Sequence, residues 1–411
     1  MIIKATEKEK NLLRNLAYKI RQIAESESNK EKIRLWYKHN ELNSERPMIL
    51  ASPEGAWCEL LPDDTLFCEN EILRSWEETM KKKIYIYEVI KDDQVVDPWF
   101  DINWQVDGGN FGMEIKRTIG NNRGSFVWDS PIKDINQDLH KLKFRKPSVN
   151  REYTYKLKTL AENIFGDILP TRIRGTFWWT LGLTNNVIEL IGLENLMLYM
   201  YDEPEGLHRL MSWMRDENLN YTNWFENEGL LTYNSESDFI GLGGVGYIAD
   251  LPQRDKLPNT QVQLKDLWGF SESQETVGIS PDMFKEFVIP YQIPLLEKFG
   301  LNSYGCCEGL EGRIDYVLQA PRMRRISVSP WANQEIMAEK LGKNYIFSRK
   351  PNPSTICVSF NEDEIRKDLR RTFQIAGDGV LEVIMKDTHT IQNEPWKISR
   401  WVEIAREELN K

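Results

Sequence analysis

The last third of the chain alternates between two hydrophobic periods. "MRRISVSPW" (323–331), "NYIFSRK" (344–350) and "GVLEVIMKD" (379–387) are short runs rich in apolar and β-branched residues, the pattern of buried strands. Between and after them the apolar residues recur every three or four positions, in "NQEIMAEKLG" (333–342), "NEDEIRKDLRRTFQIAG" (361–377) and "EPWKISRWVEIAREELN" (394–410). In the last of these, Ile398, Trp401, Val402, Ala405 and Leu409 make one stripe behind a proline at the helix start, as expected of a surface helix packed on a core. With "GLNSYGC" (300–306) as a further strand and "LEGRIDYVLQA" (310–320) as a helix, four consecutive strand–helix units predict parallel strands joined by helical crossovers.

Upstream the signal is weaker. "EKEKNLLRNLAYKIRQIAES" has Leu12, Leu13, Leu16 and Ile20 at helical spacing, and 84–128 reads as irregular and β-rich from "KIYIYEVI" onward. "TRIRGTFWWTLG" (171–182) and "SDFIGLGGVGYIAD" (237–250) each read as strand then loop. "SPDMFKEFVIPYQIPLLEKFG" (280–300) reads as a helix capped by Ser280, with Pro281 in its first turn and two later prolines that should break it. Six strand–helix units result, and a (β/α)8 TIM barrel is the simplest closure. The expected architecture is therefore α/β, with the barrel over 91–411 and a helical extension over 1–90 packed on it. The extension and the first barrel segments supply the helical and β-rich N-terminal part. An open doubly wound sheet is the alternative, but "GLGGVG" (241–246) lacks the G-x-G-x-x-G spacing of a dinucleotide turn.

Composition narrows the function classes. A net charge of −10 with no long basic run argues against nucleic acid or an anionic membrane as partner. Neither a long apolar span nor the apolar core of a signal peptide is visible, so the cytoplasm is expected. Five cysteines (58, 68, 306, 307, 357) form no disulfide framework, and an odd number suggests free thiols or metal ligands. Fourteen tryptophans exceed what is usual. Most should be core, with a minority suited to an aromatic-walled pocket.

In a parallel barrel the chemistry sits at the C-terminal strand ends. Those ends bring to one mouth Cys306, Cys307 and Glu308, then Trp331, then Arg349 and Lys350, then Asp387 and His389. Trp178, Trp179 and Gln274 join them from upstream. Adjacent strand residues face opposite ways, so Cys306 and Cys307 share a direction only if the chain turns there, and only one of Trp178 and Trp179 lines the pocket. A closed four-cysteine zinc site is excluded because no C-x2-C pair exists, but an open zinc site needs only three ligands, drawn from Cys, His and Asp or Glu on separate strands. His39, His140 and His208 fall on polar helices or turns and read as solvated or capping residues. No G-x-S-x-G supports a serine hydrolase.

"GLNSYGCCEGLEGRIDYVLQAPRMRRISVSPWANQEIMAEKLGKNYIFSRKPNPSTI" resembles the uroporphyrinogen decarboxylase-like superfamily, and within it the cobalamin-dependent methyltransferase branch. "IGLENLMLYMYDEPEGLHRLMSWM" and "DLWGFSESQETVGISPDMFKEFVIPYQIPLLEKFG" carry the same resemblance, which covers roughly 170–410. It implies a barrel with zinc held by an H-x-C element after a late strand and a cysteine ending the last strand. Here Cys307 or Cys306 takes the first cysteine's place, and the histidine's place falls near Tyr304 or Gly305. The last cysteine's place falls near Asp387, with His389 two residues on. Cys306, Glu308, Asp387 or His389 are then the residues that can substitute as zinc ligands, since zinc accepts S, N and O donors. Trp178, Trp179, Gln274, Trp331, Arg349 and Lys350 are the substrate-binding candidates.

The resemblance further implies methyl transfer between a small methylated substrate, an O-methyl aromatic being favoured, and a corrinoid on a separate corrinoid-binding protein. The chain lacks the D-x-H-x-x-G element of corrinoid carriers: "DTHTIQ" (387–392) has glutamine where the glycine belongs. A homodimer is one assembly the resemblance admits. The alternatives are a metal-free porphyrinogen decarboxylase, whose arginine-rich N-terminal signature is not visible, and a non-catalytic barrel with merely buried cysteines.

Overall fold

The computed structural model describes residues 4–119, 126–175, 179–241, 243–252 and 260–411. Six parallel strands form its main sheet. With β1 as Met48–Ala51, β2 as Phe100–Asn103, β3 as Thr171–Arg174, β4 as Trp268–Ser271, β5 as Leu301–Tyr304, β6 as Met323–Val328, β7 as Ile346–Arg349 and β8 as Val380–Met385, the sheet order is β1-β8-β7-β6-β5-β4. The remaining two, β2 and β3, pair in parallel with each other.

The closed eight-stranded ring expected from the sequence is thus present only in part. Two seams interrupt the ladders, and side chains satisfy the exposed backbone at each, as buried N–H groups require. At β1 the carboxylate of Asp93 accepts from Ile49 N (2.8 Å) and that of Asp92 from Ala51 N (2.9 Å). Beside β4, Asn234 accepts from Trp268 N (2.9 Å) and donates to its carbonyl (3.0 Å), while Thr232 Oγ1 accepts from Gly175 N (3.2 Å) just after β3. Residues 232–234 therefore bridge the second seam.

β1 lies within residues 1–90 yet runs beside β8 in register, Met48 opposite Glu382 and Ala51 opposite Met385. That part of the chain contributes a sheet strand as well as helices. Its first helix, Glu7–Glu25, has Thr6 and Glu9 as a capping box and buries Leu13, Ala17 and Ile20 against the helices Glu71–Tyr85 and Arg151–Phe165. "KIYIYEVI" is helical, correcting the β reading of 84–90: Glu71–Tyr85 starts from the Asn70 cap and continues as one π turn, Ile86–Ile90. The Ile/Tyr alternation mimics period 2, but Ile84 continues the buried stripe of Leu73, Trp76 and Met80. Two further corrections are local. Residues 237–250 hold a small antiparallel hairpin, Phe239–Ile240 with Gly244–Val245, and 310–320 hold only the turn Ile314–Val317. The proline-broken helix is as expected: Pro281–Phe287 ends at Val288, and Ile289–Leu296 follows.

The faces of β8 explain the core. Leu381, Val383 and Met385 pack with Ile398, Trp401 and Val402 of the helix Trp396–Leu409. On the opposite face Glu382 is fully buried, and it is paired. Arg325 Nε lies 3.0 Å from its Oε1, His39 Nε2 lies 3.2 Å from its Oε2, and Ser348 Oγ hydrogen-bonds to it. Burial opposes this charge, but Arg325, His39 and Lys350 more than offset it and hold the carboxyl well below its usual range. His39 is thus a core residue at the end of the helix Glu27–Asn40, not the solvated residue the sequence suggests. A polar helix face hides it because the carboxylate it pairs with is 343 positions away, and its other partner is the nearby Ser44 hydroxyl (3.1 Å).

Lys350 sits beside this cluster, buried, with Nζ on Ser348 Oγ (2.5 Å) and Ser348 O (3.1 Å). Burial pushes its ammonium down to about 7. An unfolded lysine titrates near ~10.4, so between these values the unfolded state binds more protons and stability rises with pH. Lys350→Met should therefore stabilise the protein at neutral pH by on the order of 1–4 kcal/mol, the gain vanishing toward pH ~10. Urea unfolding of both proteins across that range checks it. A pH-independent difference would contradict it.

Candidate functional site

The ends of β4, β5 and β8 meet around Cys306 and Cys307. β5 stops at Tyr304, and Gly305 follows at φ +99°, where a Cβ would crowd Leu310 and Ser327. Only glycine takes that turn without strain. The turn breaks the strand alternation, so both thiols face the same way, with their sulfurs 3.5 Å apart and no disulfide between them. Cys306 is also 2.8 Å from Gln274 Oε1, and Cys307 Sγ is 3.9 Å from Asp387 Oδ2. A thiol, a thiol, an amide and a carboxylate from three strand ends therefore converge as expected.

The two thiols differ electrostatically. Hydrogen bonding from Cys306 pulls the Cys307 thiol below its ordinary value despite burial. The same bond, with burial and the nearby carboxylates, pushes Cys306 far up. Of the pair, Cys307 is therefore the more readily ionised.

Glu308 has a different place from that of a free ligand. It is buried, and its Oε1 accepts from Ser273 N (2.9 Å) while its Oε2 accepts from Cys306 N (2.8 Å). Both oxygens thus fasten the β4 end to the β5 end and hold the cysteine turn in place. Burial raises its pKa, although these backbone donors oppose the rise.

At the end of β8, Asp387 has φ +55°, an uncommon conformation for a residue with a side chain. Asp387, His389 and Glu54 place one donor atom each within 4.8 Å of one another. Glu54, from the short 3-10 turn Glu54–Ala56 after β1, is also 2.6 Å from Lys386 Nζ, and Ala56 N bonds Thr388 O at 3.0 Å. Sequence reasoning missed Glu54, which falls inside the expected extension. It also missed Cys357, whose Sγ lies 3.8 Å from Asp387 O, and Glu272. Glu272 is buried at the end of β4, and desolvation with Glu275 and Glu308 nearby raises its pKa well above the carboxylate range. A glutamate after "WGFS" and a cysteine after "PNPSTI" carry no spacing signal that could have revealed them.

The donor types, sulfur, imidazole nitrogen and carboxylate oxygen, are those zinc accepts. Two donors at ~2.0–2.3 Å from one tetrahedral zinc lie about 3.5 Å apart, close to the 3.9 Å between Cys307 and Asp387. Glu54 and His389 lie within 4.8 Å of Asp387 and of each other, whereas among the described residues no third His, Cys, Asp or Glu donor lies that close to both Cys307 and Asp387, so Cys307 joins this trio on one ion only if a side chain turns. Glu308 does not fit, since its oxygens are already engaged by backbone donors.

The substrate-binding candidates separate. Gln274 is at the thiols and Lys350 is buried below them with Ser348. Arg349 faces the helix layer instead, donating to Ser329 O (3.0 Å) and pairing with Asp368 (3.3 Å), because position 349 has the parity of outward-facing Phe347. Trp331 stands 71 % exposed in the turn after β6. Trp179 is half-exposed and tilted against Phe270, 5.7 Å between ring centres, while Trp178 lies outside the described residues. No helix among the described residues is long and apolar enough to cross a membrane.

No protein-family model matches the chain, and no curated protein matches it. Among solved structures, a methyltransferase from Methanosarcina mazei matches with a TM-score of 0.51 and 11 % sequence identity. The match covers 90 % of this chain and 97 % of that one. At that identity the likeness is one of fold.

Proposed function

We propose that this protein is a methyltransferase that moves a methyl group from a small methylated substrate, an O-methyl aromatic, to a corrinoid carried by a separate protein. The observation that carries the reading is the meeting of Cys307 Sγ and Asp387 Oδ2 at 3.9 Å, from strand ends 80 residues apart in sequence. The fold likeness to a methyltransferase supports it, as does the resemblance of 170–410 to the cobalamin-dependent branch.

In this reading Cys307 and Asp387 hold a zinc ion, with His389, Glu54 or Cys306 completing the set. When bound, zinc supplies Lewis acidity to the oxygen that the methyl group leaves. A reduced corrinoid on the partner would supply the nucleophile for the methyl carbon, the electron pair of the broken carbon–oxygen bond would stay on the oxygen, and that oxygen would then take a proton from solvent. The chain's own residues prepare this. Cys306 hydrogen-bonds Cys307 and eases the loss of its proton to a metal. Glu308 fixes the turn that aims both thiols, and Lys386 balances the charge of Glu54.

Mixing the purified protein, loaded with zinc, with 2-methoxyphenol and cob(I)alamin should yield methylcobalamin and catechol, read by absorbance and chromatography. Absence of methyl transfer over a panel of methoxyaromatics and methylamines would overturn the reading. Decarboxylation of a porphyrinogen by the metal-free protein would replace it with a lyase.

A further inference from the structure

The seam between β3 and β4 holds a partly open cavity of about 110 Å³ bordered by Arg174, Trp179, Asp238, Phe239, Trp268 and Phe270. Its size is on the scale of engineered cavities that admit a benzene ring, about 150 Å³. Two observations make it more than a packing gap. Trp179 and Phe239 are about half-exposed at it, 49 % and 52 %, although large aromatic side chains gain most by burial. The charged pair at its wall is also incompletely satisfied.

Arg174 is buried, 4 % exposed, and its Nη2 donates to Asp238 Oδ1. Its Nη1 and the Oδ2 of Asp238 are both buried without a hydrogen-bond partner. The carboxylate oxygen of Glu236 lies 3.7 Å from Nη1, beyond hydrogen-bond reach. The neighbouring Arg172, two positions back on the same strand face, shows the contrast. It is saturated by Asp97 (2.6 Å), Asp101 (2.5 Å) and Glu236 (2.5 Å). A buried donor or acceptor left open costs about 1–3 kcal/mol, so one arginine completed and the next left with an open N–H beside an open oxygen reads as a place kept for a ligand. Burial raises the Asp238 pKa against the pull of Arg174, which fits a carboxylate awaiting a donor.

We infer that this seam cavity binds a small flat aromatic molecule carrying a neutral group with adjacent hydrogen-bond donor and acceptor, a primary carboxamide being the best match. Its carbonyl accepts from Arg174 Nη1 and its N–H donates to Asp238 Oδ2, while the ring lies among Trp179, Phe239, Trp268 and Phe270. A carboxylate meets the charge of Asp238, and an ammonium meets that of Arg174, so each charged ligand gains one partner and opposes the other. Of the substrate-binding candidates only Trp179 borders this cavity, the thiols, Asp387 and Gln274 do not, and its occupancy does not depend on methyl transfer.

Calorimetric titration of the full-length protein with benzamide, acetophenone, benzoate and benzyltrimethylammonium tests this. Benzamide should bind at least tenfold more tightly than the other three. Asp238→Asn, which replaces the open acceptor by a donor, should bring benzamide down to the acetophenone level, and Phe239→Ala should weaken all four ligands. Near-ultraviolet circular dichroism verifies folding, and the half-exposed Phe239 provides a variant that spares the ion pair. No benzamide binding, meaning that water alone fills the polar wall, would overturn the inference. So would benzamide binding unchanged in folded Asp238→Asn or Phe239→Ala, or tightest binding by either charged probe.

Discussion

Replacing Glu382 by leucine should cost about 3–5 kcal/mol of stability, the usual effect of removing one partner from a buried ion pair. Glu382 is fully buried and is the acceptor shared by Arg325, His39 and Ser348. Its loss strands the Arg325 guanidinium, which then keeps the Asn40 side chain (2.6 Å), a long contact to Val245 O (3.4 Å) and the Trp268 ring face (5.2 Å) but no opposite charge beside it. The double variant Arg325→Met/Glu382→Leu should recover much of the loss, because it removes the stranded charge as well. Urea midpoints of the three proteins check both statements. A single-variant cost below about 1 kcal/mol would mean that the cluster is far less desolvated than its burial indicates. The pH dependence follows the same geometry: the folded pKa of Glu382 is depressed, so its contribution is present above the unfolded value near ~4.3 and is lost as pH falls below it.

The second large effect is on metal binding. Cys307→Ala and Asp387→Ala should each weaken zinc by more than about 100-fold, since losing merely a hydrogen-bond partner of a metal ligand costs about 10–100-fold. Cys306→Ala should cost less, because Cys306 bonds Gln274 and touches Cys307 at 3.5 Å, whereas Cys307 is the thiol against Asp387. Glu308→Gln should lower stability before it lowers affinity, since both of its oxygens serve backbone N–H groups. Competition against a chromophoric chelator gives all four affinities. Equal loss from Cys306→Ala and Cys307→Ala would make them joint ligands.

The parts of this molecule that were legible in its sequence are those where one physical pattern dominates. From residue 300 on, strands and helices were readable because apolar residues switch cleanly between periods 2 and 3.6, and β5 to β8 lie where those switches fall. The convergence of Cys306, Cys307, Gln274 and Asp387 followed from strand ends alone. Elsewhere tertiary context overrode local pattern. Ile84–Tyr85–Ile86–Tyr87 alternates like a strand but ends a helix whose buried stripe begins at Leu73. The two seams were invisible because their backbone groups are met by Asp92, Asp93, Thr232 and Asn234, side chains without strand periodicity. Glu54 and His39 were passed over because both partner with β8, more than 300 residues away. Arg349 was placed at the mouth by chain position, whereas strand parity sends its guanidinium toward Asp368.

The central claim is that a Cys307 thiolate and the Asp387 carboxylate share one metal ion. The visible spectrum of the cobalt(II)-loaded protein tests it most directly, because a four-coordinate site with sulfur gives intense d–d bands and a thiolate-to-cobalt charge-transfer band. The account predicts both for the wild-type protein at one cobalt per chain, with the charge-transfer band lost in Cys307→Ala and the metal stoichiometry reduced in Asp387→Ala. A wild-type protein that binds no cobalt, or one whose spectrum is unchanged by Cys307→Ala, would contradict it.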